Sequence, residues 1–203
     1  VGIYIIFLQH VIYDVLRKKA DSIKAVRCEV AEGNWEVNAG SITPDQTKHS
    51  PENAAGATSR KLIVWQKGVL ARYEVGKNHI IRRPDGQYTY NAADDKYYTL
   101  GQGFYPREQL GIGWRMDRTR PIEILGTKTW EGKETTVIWQ PLGLYAGSPE
   151  GVTVWVVTGT GVTIRAQAVW PTHYPDGRML LHVADSQSCA LEDVPDKLFE
   201  IPE

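Results

Sequence analysis

Between Val152 and Trp170 the sequence reads VTVWVVTGTGVTIRAQAVW, two alternating runs on either side of a turn rich in glycine. Val152, Val154 and Val156 alternate with Thr153, Trp155 and Val157. Beyond the turn, Val162, Ile164, Ala166, Ala168 and Trp170 alternate with Thr163, Arg165, Gln167 and Val169. A period of two over both runs specifies two β-strands, because successive side chains on a strand point to opposite faces. Thr158-Gly159-Thr160-Gly161 supplies the glycines of a tight hairpin turn. One face of this ribbon is wholly apolar. The rest of the chain has to provide more sheet, and something to lie on it.

Residues 3–23 carry the covering element. Leu8, Val11, Ile12, Val15, Leu16 and Ile23 recur at helical spacing, with Asp14, Arg17, Lys18 and Lys19 between them, which predicts an amphipathic helix whose apolar stripe packs on the sheet. The opening IYIIF run is too short to span a bilayer. Strands are expected at 24–32, with 34–37 continuing it or starting a neighbour. Further pairs are 61–66 with 69–75, turning at Lys67-Gly68, and 79–83 with 87–91, turning at Pro84-Asp85-Gly86. Strands also fit 96–100, 122–130, 133–140 and 178–188. Two stretches break the periodicity: residues 38–59, a long polar loop with two prolines, and residues 101–121. The whole of 1–203 then reads as a single, mainly β (α+β) domain of about ten or eleven strands in sequential hairpins. Twist accumulates over so many strands, so the expected fold is an incomplete, strongly curved antiparallel β-barrel covered by the N-terminal helix.

Chemistry is sparse. Lys and Arg total 23 against 24 Asp and Glu, a net charge of −1, which argues against general nucleic-acid binding, since that needs a basic face. His10, His49, His79, His173 and His182 show neither HxH nor HExxH spacing and read as surface or strand histidines. There is no GxSxG elbow, and Gly159-Thr160-Gly161 lacks the later glycine of a phosphate loop. Asp94-Asp95 sits beside a strand end and reads as a solvated turn. No enzyme, metal site or cofactor is implied. Seven Trp and ten Tyr fit either a large amphipathic groove or the preference of aromatics for strands. Cys28 and Cys189 are either one disulfide or two separate buried thiols. Arg107, Arg115, Arg118 and Arg120, interleaved with Tyr105, Trp114 and Met116, are either a site for an anionic headgroup at a barrel mouth or a solvated basic loop.

Several short motifs resemble the LolA/LolB-like bacterial lipoprotein carriers and their outer-membrane lipoprotein-sorting relatives. They are Ala20-Asp21-Ser22-Ile23-Lys24-Ala25 at the helix end, Leu62–Trp65 as an early strand, and Ile81, Asp85-Gly86, Tyr88 and Tyr90-Asn91. Val154-Trp155-Val156, Thr160-Gly161 and Arg165 match the family's strand, turn and return strand. The close, Val194-Pro195-Asp196-Lys197-Leu198-Phe199-Glu200-Ile201-Pro202, is similar to its terminal motif. Lys67-Gly68 stands where the carriers have Arg-Pro, so their lid-locking arginine has no counterpart here and a divergent member is implied. The resemblance implies a half-barrel with a helical lid over a cavity for acyl chains. It also implies non-enzymatic binding of a lipid or acylated lipoprotein, as carrier or chaperone in the periplasm or cell envelope. The alternative is an envelope sensor or scaffold binding a peptide or protein partner in the same groove. With a first residue of Val1 rather than Met, an extracytoplasmic place is expected. Taking the more apolar side of each strand, the expected ligand-binding face is Tyr73, Val75, Val137, Trp139, Val154, Val156, Ile164, Ala166, Leu181 and Val183. Arg72, Glu74, Thr136, Thr163, Arg165 and His182 are then expected to face water, on a side shared with Trp155 and Val157.

Overall fold

The computed structural model describes residues 2–38, 58–99, 120–141, 151–171 and 178–201, without the side chains of 2–8, 21, 32, 34–38, 58–60, 169–171 and 178–187. Helix α1 (Gly2–Asp21) comes first. The strands follow as β1 (Ala25–Asn38), β2 (Thr58–Lys67), β3 (Leu70–Val75), β4 (Asn78–Arg83), β5 (Gly86–Asn91) and β6 (Lys96–Thr99). The second set is β7 (Glu123–Trp130), β8 (Lys133–Pro141), β9 (Gly151–Val157), β10 (Thr163–Pro171) and β11 (Arg178–Ala190), with a 3-10 turn at Asp196–Phe199. Residues 34–38 continue β1 rather than start a neighbour. Glu131 and Gly132 both have positive φ (47° and 74°), the twist-matched turn that joins β7 to β8.

The eleven described strands form one antiparallel sheet, in the order β6-β5-β4-β3-β2-β1-β11-β10-β9-β8-β7. Consecutive strands are neighbours except β6 and β7, which lie at opposite edges. The chain therefore makes two meanders, β1–β6 and β7–β11, joined by the antiparallel pairing of β1 with β11. That pairing is the one that would close an up-and-down barrel. Here the opening falls between β6 and β7, so the sheet is open. Cys28 and Cys189 face each other across the join, with Cα atoms 4.1 Å apart, and form a disulfide. The cysteines thus lie at the centre of the sheet, and of the two sequence readings the bridge is the one realised.

Helix α1 turns inward only part of the side its spacing suggested: Leu16 is buried and Ile23, just beyond the helix, packs on the core. Tyr13, Leu16 and Ala20 are buried in the main apolar cluster with Val154, Ile164 and Ala166. Val11, Ile12 and Val15 are exposed, Val15 at 48%; the side chain of Leu8 lies outside the described ones. The physical reason is the seat at the β9–β10 turn. Gly161 (φ 77°) brings its backbone against the Leu16 carbonyl oxygen, and a Cβ there would stand 2.8 Å from the Ala20 nitrogen. Lys19 Nζ donates to the Thr158 carbonyl at 2.6 Å, fixing the same side of the helix. The turn contact and the buried Leu16 together fix the rotation of α1.

A smaller cluster lies elsewhere on the sheet. Val194 and Phe199 from the C-terminal segment are buried with Ala25 and Ile81, and Trp65, Leu70 and Tyr97 pack around them.

Candidate binding surface

Register decides which of the expected face residues meet. Ala166 pairs with Val154, and Val154 pairs with Ile138. Val156 pairs with Thr136, Ala168 with Val152, and Val152 with Gln140. Val152, Val154, Val156, Ile138, Ala166 and Ala168 therefore form one apolar strip across β8–β10, with Thr136 and Gln140 on the same side. Val137 and Trp139 are not part of it. They pair with Trp155 and Thr153, on the opposite face from Val154 and Val156. Leu181 and Val183 pair with Val169 and Gln167, which also places them in register with the Trp155 side; their side chains lie outside the described ones. Ile164 is the extra residue of a bulge, between Thr163 opposite Val156 and Arg165 opposite Trp155. Tyr73 and Val75 are partly buried and pack on the main cluster. The expected set is thus split between two faces. Choosing the more apolar side of each strand fails here because residues 135–138 of β8 and 151–156 of β9 are buried without interruption, so alternation no longer marks inside from outside.

The face expected to meet water is corrected at its centre. Arg165 is only 8% exposed. Its guanidinium carbon lies 4.1 Å from the centroid of Trp130 and 4.8 Å from that of Trp155, a planar cation held against two indole rings. Trp155 does share this side with Arg165, as their pairing shows. Thr136 and Thr163 are buried as well, while Arg72 and Glu74 are half-buried and bonded to each other at 2.6 Å. His182 has no described side chain. Of the four arginines of the basic cluster only Arg120 lies within the described residues, where Nη1 reaches the Pro141 carbonyl at 3.5 Å.

A second assembly went unread in the sequence. His79, Tyr90 and Tyr97 stand opposite one another on β4, β5 and β6. The His79 and Tyr90 rings stack at 4.7 Å, and His79 Nε2 hydrogen-bonds with the Tyr97 hydroxyl at 2.8 Å. Burial holds the His79 imidazole below its usual range; Arg72 adds to this and Glu74 opposes it. Tyr90 donates to Asp95 at 2.7 Å and Tyr98 donates to Asp94, so the Asp94-Asp95 pair serves as the turn expected of it. The signal was there: counting back from the turn pair Arg83–Gly86 sets His79 against Tyr90, and Asn91–Lys96 sets Tyr90 against Tyr97.

No protein-family model and no curated protein matches this chain. Solved structures do. An uncharacterized conserved protein from Thermus thermophilus superposes with a TM-score of 0.56 at 8% identity, over 94% of each chain. MucB, solved in complex with MucA(peri), matches with a TM-score of 0.52 at 10% identity, over 94% of this chain and 58% of the MucB chain. A LolA superfamily protein from Nitrosomonas europaea matches with a TM-score of 0.40 at 12% identity, over 93% and 97%. At such identities the likeness is one of fold.

Proposed function

We propose that this chain is a non-enzymatic binding module of the cell envelope that holds a lipid, or the acyl chain of a lipoprotein, along the apolar strip of β8–β10. The observation that carries this reading is the composition of the strip and its cover. Val152, Val154, Val156, Ala166 and Ala168 are small, contiguous in register and buried, and among its described side chains the helix that shares their cluster commits Tyr13, Leu16 and Ala20 to it. An acyl chain gains about 0.8 kcal/mol per buried CH₂. About half a dozen methylenes therefore offset the release of two side chains such as Tyr13 and Leu16, at about 1.5–3 kcal/mol each. In this scheme α1 lifts at its Gly161 seat and the acyl chain takes its place. No described helix is long and apolar enough to cross a membrane. The Cys28–Cys189 bridge supports an extracytoplasmic site, because disulfides persist in oxidising compartments.

Two measurements test the reading together. Native mass spectrometry of freshly purified protein is expected to show a co-purifying lipid mass, and a fluorescent fatty-acid probe is expected to bind the delipidated protein. Ala166→Leu, which fills the strip, should weaken probe uptake at least tenfold, while Arg83→Glu on the β4–β5 hairpin leaves it intact. A bare protein mass together with no uptake by the parent removes the lipid reading. A second reading, a sensor or scaffold that binds a protein partner, is favoured by the match to MucB, which was solved with MucA(peri). A tightly bound peptide in the same mass spectra would select it.

A further inference from the structure

Among the described residues, the C-terminal segment is held differently from the strands. Every strand is tied by a ladder of backbone bonds, whereas residues 191–201 add no strand to the sheet and are gripped by side chains. Lys67 Nζ donates to the Val194 carbonyl at 3.0 Å and pairs with the Asp196 carboxylate at 2.8 Å. Arg72 Nη1 donates to the Leu198 carbonyl at 2.9 Å, while its Nε is held by Glu74. Between these clamps Val194 and Phe199, five positions apart, are buried on Ala25 and Ile81 beside Trp65 and Leu70. Backbone carbonyls gripped by donors, with side chains sunk into an apolar seat, is the way a protein surface reads a short peptide. The charges match too. Glu192, Asp193, Asp196 and Glu200 outnumber Lys197 in the segment, and the clamps that meet it are Lys67 and Arg72.

We propose that the β2–β4 face is a peptide-binding site in its own right, separate from the strip on β8–β10 and filled here by the chain's own residues 193–201. The ligand class it selects is an acidic peptide with two apolar anchors five residues apart. Because no strand is broken when the segment leaves, it detaches in a local opening rather than with the whole sheet. The site then passes to any peptide of that pattern.

The test uses the full chain and a labelled synthetic peptide of the sequence from Leu191 to Ile201, read by fluorescence anisotropy. The parent, with its site filled, should bind the peptide weakly. Phe199→Ala loosens the resident segment, and its apparent affinity for the peptide should rise at least tenfold. Adding Arg72→Ala to that variant should reverse the gain, and a peptide lacking the Phe side chain should bind neither protein. Hydrogen exchange of Phe199→Ala should show the amides of 194–200 released while those of β1 and β11 stay protected. Release without peptide binding overturns the proposal. So does a segment that stays protected, since Phe199 is then no anchor. Should Phe199→Ala lose the sheet by circular dichroism, Val194→Thr is the second route to the same opening. If that variant also unfolds, the segment is core rather than ligand and the proposal is overturned.

Discussion

The two meanders are made of similar strands but are buried differently. In β7–β11, residues 135–138, 151–156 and 162–168 are covered on both sides. In the first meander cover is lighter: on β2, Leu62, Val64 and Gln66 are buried while Ile63, Trp65 and Lys67 are half-open, and most of β3–β6 is only partly covered. A strand buried on both faces holds its neighbours by dense packing, and removing volume there leaves a void that little can fill. A strand with one lightly clad face has side chains that can settle into a gap. Strands β8–β10 thus make the second meander the rigid half, although its edge strand β7 is largely exposed; the first meander is the adaptable half, with α1's cluster on one side and the C-terminal segment on the other.

The join is where this contrast is most exposed to test. Closing a loop of 161 residues restricts the unfolded chain by about 5 kcal/mol on a chain-entropy account. The double variant Cys28→Ser, Cys189→Ser should lose about that much in urea unfolding, and β1–β6 amides should exchange before those of β8–β10. One cooperative transition at the parent midpoint would mean that the halves are not separable. Next in size is a matched pair. Ile138 and Ile81 are both 0% exposed, one in each half. Ile138→Ala should cost about 4 kcal/mol and Ile81→Ala about 2, the difference measuring how far each site collapses. Equal losses would erase the distinction between rigid and adaptable.

How much of this was legible depends on the same difference. Period-two spacing located every described strand to within a few residues, because alternation and glycine turns are local. The face of each strand was legible only where one side stays open. Tyr73 and Val75 pack on the main cluster, while Val137 and Trp139 turn away from Val154, since both sides of β8 and β9 are covered. Arg165 was read as a solvated charge because nothing in its own strand reveals two indoles from β7 and β9. The rotation of α1 was partly hidden for a related reason: a backbone contact at Gly161 leaves no apolar pattern in the helix. Gly161→Ala should therefore cost about 2 kcal/mol and free the α1 amides first, combining positive-φ strain with overpacking. Protection of α1 unchanged in that variant would show that the helix is seated by its side chains instead.

The smallest effect belongs to the adaptable half and is a matter of sign. His79 lies between Tyr90 and Tyr97, with Arg72 and Glu74 on the adjoining β3. Burial, and then Arg72, lower its affinity for a proton below the ordinary value of 6.5. The unfolded chain therefore takes up that proton first. The contribution is fully present above 6.5 and is lost as pH falls through that value toward the lower one of the folded state. Because the ring is partly solvated, the loss should be the least of these effects. Urea midpoints should fall between about pH 7.5 and about pH 5.5, and His79→Phe should flatten that part of the slope. Hydrogen exchange should place the loss in β4–β6, leaving β8–β10 as protected as before. A slope that survives in His79→Phe would put the titrating group elsewhere, and a loss spread evenly over both meanders would mean that they share one stability after all.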